Sequence, residues 1–168
     1  HLNVATIKNI FEFRDKRVAR FDTKLIESIS VSFEKSKKEN FTLNRNETGL
    51  WEASYQNSIL QFTNLGSIMD LMKSLEELNI RNFDVDDISA DAKILLSLSD
   101  GRRNYTYRFA SKDNRVFVIV GGRYHEVSKG FRKYFNKSIS GYLHRKIVEV
   151  KIDQINGMSV GGAPLIKD

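Results

Sequence analysis

The chain contains no cysteine. That excludes disulfides, thiolate nucleophiles and cysteine-ligated metals. The absence suits a reducing cytoplasm and, equally, a bacterial envelope protein that avoids stray oxidation. Proline occurs once, at Pro164, which is too little for a proline-rich linker and in keeping with a compact meander. No stretch approaches the roughly 18 consecutive apolar residues that a membrane-crossing helix needs. No signal peptide is present either. The chain begins at His1 in place of Met, which reads as processing or excision, with room for an anchor or signal upstream.

Residues for chemistry are equally sparse. There are three histidines, His1, His125 and His144, and none has a second His or a carboxylate at metal-ligand spacing. Neither a G-x-S-x-G elbow nor a G-x-x-x-x-G-K phosphate loop occurs. Asp84, Asp86, Asp87 and Asp91 cluster, but a calcium loop needs an oxygen ligand and then glycine where Ile88 and Ser89 stand. A polar turn is the better reading. The expectation is therefore no catalytic residue, no metal and no cofactor.

What is present is a globular composition, with 40% hydrophobic and 11% aromatic residues. Lys plus Arg is 27 against 21 Asp plus Glu, a formal charge of +6. A surplus of this sign favours an anionic partner such as nucleic acid or a wall polymer. The charges are nevertheless dispersed among opposite ones, as on solvated faces, and nucleic acid is not the favoured partner. Arg102, Arg103 and Arg123 are the candidate anion contacts. Gly121 and Gly122 before Arg123 read as a sharp turn after an apolar strand.

Periodicity sketches the fold. Apolar residues at Leu2, Val4, Ile7, Ile10 and Phe11 suit a helix. Ile29, Val31 and Phe33 alternate with serines, predicting a strand, and Phe41–Leu43 and Leu50–Tyr55 continue a meander. Asn64 caps a helix whose stripe is Leu65, Ile68, Met69, Met72 and Leu75. With Trp51, this stripe is the expected structural core. Ile80–Val85 and Ile94–Leu98 are further strands. Asp100-Gly101 turns into Tyr105–Phe109, where Tyr105 and Tyr107 read as a core face rather than a stacking platform. Val116–Val120 is apolar throughout, so it should be covered on both faces. Ser128 opens a short helix with Phe131, Tyr134 and Phe135. The expected class is α+β: antiparallel meander sheets covered by one long helix and one or two short ones.

The segment from Phe13 to Val31 returns, without a gap, from Tyr142 to Val160. Ile26, Ser30 and Val31 meet Ile155, Ser159 and Val160, and most other positions keep their character. This suggests tandem domain-sized units, against the alternative of chance similarity between two strand-forming segments. On the tandem reading, residues 1–20 end one unit, 21–149 form a complete one and 150–168 begin the next. Phe21, Ile26 and Ile29, with Val150, Ile155 and Met158, would then join unit to unit.

The order of these features resembles a bacterial repeat family, domain-of-unknown-function family 4340. The resemblance is carried by Arg14–Val18, Phe21-Asp22 and Ile26–Val31. The hairpin from Phe41 to Trp51, the helix Ile68–Leu78 and the strands Ile94–Val127 extend it over nearly the whole chain. The G-L-x-x-P segment usual in the family is not found at Ile88–Ala92. The resemblance implies an extracytoplasmic protein held by an N-terminal membrane helix, beside an ABC transporter of the gliding-motility type. Its partners would be adjacent units and transporter subunits, and it brings no catalytic residues. The expected role is a non-catalytic interaction module, the alternative a binding module for an anionic polymer such as nucleic acid or wall polysaccharide.

Overall fold

The computed structural model describes residues 15–34, 39–56, 58–60, 63–85 and 88–144, and the backbone of 158–160 and 163–165. The expected helix over 2–11, and Arg14, Asp86, Asp87, Val150 and Ile155, lie outside the described residues, as does the side chain of Met158. The elements are β1 (Ser28–Glu34), β2 (Phe41–Arg45), β3 (Trp51–Tyr55), β4 (Ser58–Leu60), helix α1 (Leu65–Glu76), β5 (Ile80–Val85), β6 (Ala92–Ser99), β7 (Asn104–Lys112), β8 (Arg115–Val120) and β9 (Arg123–Val127). Two 3₁₀ helices follow, Lys129–Asn136 and Ile139–Tyr142, then β10 (Met158–Val160) and β11 (Ala163–Leu165).

Nine strands form one antiparallel sheet in the order β4-β3-β2-β1-β6-β7-β8-β9-β5. Two meanders, β1–β4 and β6–β9, thus run outward from a shared seam. Across that seam Ile29 faces Leu98 and Val31 faces Leu96. β5 closes the far edge against β9, with register shifts where Asp84 adopts a left-handed φ of 51°.

Strand alternation places one apolar face inward. Leu43, Ile29, Leu98 and Tyr105 stand in register across four strands, and Phe41, Val31, Leu96 and Tyr107 form the next row. α1 packs on this face through Ile68, Leu71, Met72 and Leu75. The opposite face is largely polar. Ser54, Thr42, Ser30, Ser97 and Thr106 form a hydroxyl row across five strands, with Ser30 and Thr42 hydroxyls 3.2 Å apart. β8 is the exception. Val116 and Val118 join the main core while Phe117 joins Ala90, Ala110 and Tyr124 on the other side, which explains its unbroken apolar run.

The expected α+β class is overturned: the fold is mainly β, a single nine-stranded sheet with short helices. The physical reason is size. Twelve helical residues rise about 18 Å. Nine strands extend about 38 Å along the hydrogen-bonding direction. α1 therefore covers part of the face, and the rest is closed by Phe131, Tyr134, Phe135 and Tyr142 of the 3₁₀ helices and by Ala19 and Ile26 before β1. Two long pairings hold the lid pieces. Tyr134 Oη lies 2.9 Å from the Asp70 carboxylate and 2.8 Å from the Ser74 hydroxyl, both on α1. Asn64 N–H donates to the Tyr142 carbonyl at 2.7 Å.

Two expected core positions are also corrected. Leu65 and Met69 are exposed, and Leu71 takes their place on the packed face. Ile68, Leu71, Met72 and Leu75 are spaced i, i+3, i+4 and i+7, one stripe. Met69 lies about 100° around the helix from Ile68, and Leu65 occupies the first helical position, one turn before the first buried residue of the helix. Ile26 and Ile29, expected at a junction between units, are fully buried in the main core. Phe21 is partly buried against Tyr105 and Tyr107, with ring centroids 5.9 and 6.4 Å away. Met158–Val160 and Ser28–Glu34 each pair antiparallel with the strand that follows.

Candidate interaction surface

At one end of the sheet, three local devices bring apolar side chains to the surface. The first is the β2–β3 turn. Asn46 Oδ1 accepts from the Thr48 N–H (3.1 Å), the Thr48 hydroxyl (2.7 Å) and the Leu50 N–H (2.9 Å). Gly49 completes the turn with a φ of 80°, a conformation glycine adopts without Cβ strain. Leu50 is thereby held outward. The second is the helix start. Asn64 Oδ1 accepts from the Ser67 N–H at 3.1 Å, satisfying one orphan donor and setting Leu65 in the first turn. The third is the turn before β1, where Asp22 Oδ1 accepts from the Lys24 N–H at 2.9 Å and leaves Leu25 at the surface.

The outcome is a rim of large apolar residues: Leu25 at 58% exposure, Leu50 at 67%, Leu65 at 54% and Met69 at 38%. Single exposed leucines need no explanation, but clustered ones mark interaction sites. Leu50, Leu65 and Met69 surround a cavity of about 390 Å³ whose lining includes Trp51 and Thr63. The Thr63 hydroxyl donates to the Trp51 carbonyl at 2.5 Å, fixing the loop before α1 against β3. Leu25 lines an adjoining cavity of about 680 Å³ with Lys24, Glu27, Glu47, Asp100 and Arg102. Arg45 lines both.

Arg45 faces Trp51 across the hairpin register, and its guanidinium lies 5.3 Å from the indole centroid. Its Nη1 donates to the Lys24 carbonyl at 3.3 Å. Its Nε is shielded from solvent and has no acceptor among the described residues. Sequence reasoning passed over Arg45, because its place beside Trp51 follows only from the register of the hairpin.

The candidate anion contacts do not line one cavity. Arg102 belongs to the larger cavity just described. Arg103 lines a third, of about 510 Å³, with Arg17, Arg20, Asp22, Glu76 and Tyr105. There Arg17 and Arg20 both pair with Asp15. Arg123 pairs with Asp84 at 3.3 Å. Asp100 is also engaged. The Arg103 N–H, then that of Arg102, donate to its carboxyl and hold it below the usual carboxylate range. The Tyr105 hydroxyl bonds the same carboxyl at 2.9 Å, which pushes the phenol upward.

Trp51, Ile68, Met72 and Leu75 are buried, as expected for the core. Among the described residues, no three His, Cys, Asp or Glu side chains group closely enough to hold a metal ion. Among them, too, no helix is long and apolar enough to cross a membrane.

Fold and surface define a mainly β domain with a one-sided main core and an exposed apolar rim at one end of its sheet. The chain belongs to the family described as Domain of unknown function (DUF4340), whose family model matches residues 2–97, more than half of the chain. The matched stretch contains β1 to β5, α1, most of β6 and every residue of the apolar rim. No curated protein matches the chain, and no solved structure does.

Proposed function

We propose that this chain is a non-catalytic interaction module of a membrane-anchored, extracytoplasmic protein that works beside a gliding-type ABC transporter. The observation that carries the interaction role is the rim of Leu25, Leu50, Leu65 and Met69, four large apolar side chains held at the surface around two cavities. Burying such a rim against a partner removes apolar area from water, worth about 25 cal/mol per Å² before the costs of association. Location, anchor and transporter rest on the resemblance of the sequence motifs. So does the iteration of the unit, with the matching hairpin strands β1 and β10 in its favour.

The test is site-specific photo-crosslinking in cells. A crosslinker at Leu50 should capture a transporter subunit or another copy of the unit. The same group at Thr106, on the hydroxyl face, should not. Equal capture from both positions, or none from Leu50, would remove the reading.

A further inference from the structure

We infer that the cavity beside Trp51 receives an apolar segment of a partner protein that carries a carboxylate, and that Arg45 binds that carboxylate. The inference rests on the interaction role proposed above and names the chemistry of the segment. Three observations carry it. The cavity of about 390 Å³ has the size of a small ligand pocket, and Arg45 is the one charged residue among the described residues lining it. Its rim is apolar, through Leu50, Leu65 and Met69. Arg45 itself makes no ion pair with any described residue; it has one long bond to a backbone carbonyl and an Nε hydrogen shielded from water without an acceptor.

A guanidinium offers five donors in a fixed fork. Its terminal Nη groups can give an incoming carboxylate charge-assisted bonds. Two of the carboxylates nearby are already engaged, while Glu27 and Glu47 border the adjoining cavity. Asp100 is held by the N–H groups of Arg102 and Arg103 and by Tyr105, and Glu52 accepts from Asn46 at 2.9 Å. The guanidinium carbon lies 5.3 Å from the Trp51 ring centroid, a cation–π contact that limits the side chain's freedom before binding. The apolar rim selects a leucine-like neighbour for the acid, and a wholly polar acidic segment leaves Leu50 and Leu65 wet.

The probe is a five-residue leucine peptide, blocked at both ends, with a central glutamate; its counterpart carries a central glutamine. Trp51 is the sole tryptophan and lines the cavity, so its fluorescence reports occupancy. The glutamate peptide should bind tighter than the glutamine peptide by about tenfold, the gain of a charge-assisted bond. Arg45→Gln should abolish that preference. Leu65→Glu, at an exposed position, should weaken both peptides and the glutamate peptide more, a check that does not depend on Arg45→Gln folding. Equal binding of the two peptides, a preference that survives Arg45→Gln, or decanoate binding tighter than the glutamate peptide would overturn the inference. If Leu50 crosslinks a partner in cells while the peptides bind equally, the carboxylate alone falls. If neither crosslink nor peptide binding occurs, the interaction role falls with it.

Discussion

Asp70 shows how much a single surface carboxylate can organise. It sits on the outer side of α1, where its Oδ2 meets Lys133 Nζ at 2.8 Å and the Tyr134 hydroxyl at 2.9 Å. The hydrogen bond from Lys133, foremost, holds Asp70 below the usual carboxylate range. Its folded pKa is therefore lower than its unfolded value of about 3.9. The stability it contributes is complete above that unfolded value and is lost as pH falls through the folded one. Asp70→Asn should flatten the acid limb of a urea-stability profile below about pH 5 and leave the neutral plateau only slightly lower, since the pair is half-exposed. An unchanged acid limb would remove Asp70 from this role. At the same scale, Trp51 was legible as core, because it opens a strand whose next inward residue is Ala53. Leu65 and Met69 were not legible as surface. Apolarity alone does not say which of a helix's apolar residues its neighbours will cover.

Elements were legible wherever period was sustained. Alternating serines mark β1, an apolar stripe with an Asn cap marks α1, and Asp-Gly marks the β6–β7 hairpin. There Gly101 takes a φ of 76° and a Cβ would come within 2.7 Å of Glu27 Oε2. β4 escaped notice because three residues carry no period. α1 is short, so its ends matter to its stability. Asn64→Ala should cost about 1 kcal/mol in chemical denaturation, by leaving the Ser67 N–H without its acceptor. It should also disturb the rim through Leu65. A loss below a few tenths of a kcal/mol would show that packing against Tyr142 alone sets the helix start.

In the whole molecule, the two meanders share the β1·β6 seam and one main core that runs from Trp51 to Val127. They should unfold together. Trp51 fluorescence reports the first meander and far-UV circular dichroism reports both. Their urea transitions should coincide, and an earlier Trp51 transition would mean that the first meander melts alone. By itself, the sequence determined which stretches become strands or helix and which of their faces are apolar, because those follow from local period and turn chemistry. It also carried the family motifs. Tertiary structure alone decided that β1 pairs with β6, that β5 closes the far edge, and that the class is mainly β. It decided, too, that Leu50, Leu65 and Arg45 meet around one cavity. Strand partnership and the burial of a helix's apolar residues depend on contacts between residues far apart in the chain, and no local pattern encodes the distance between them.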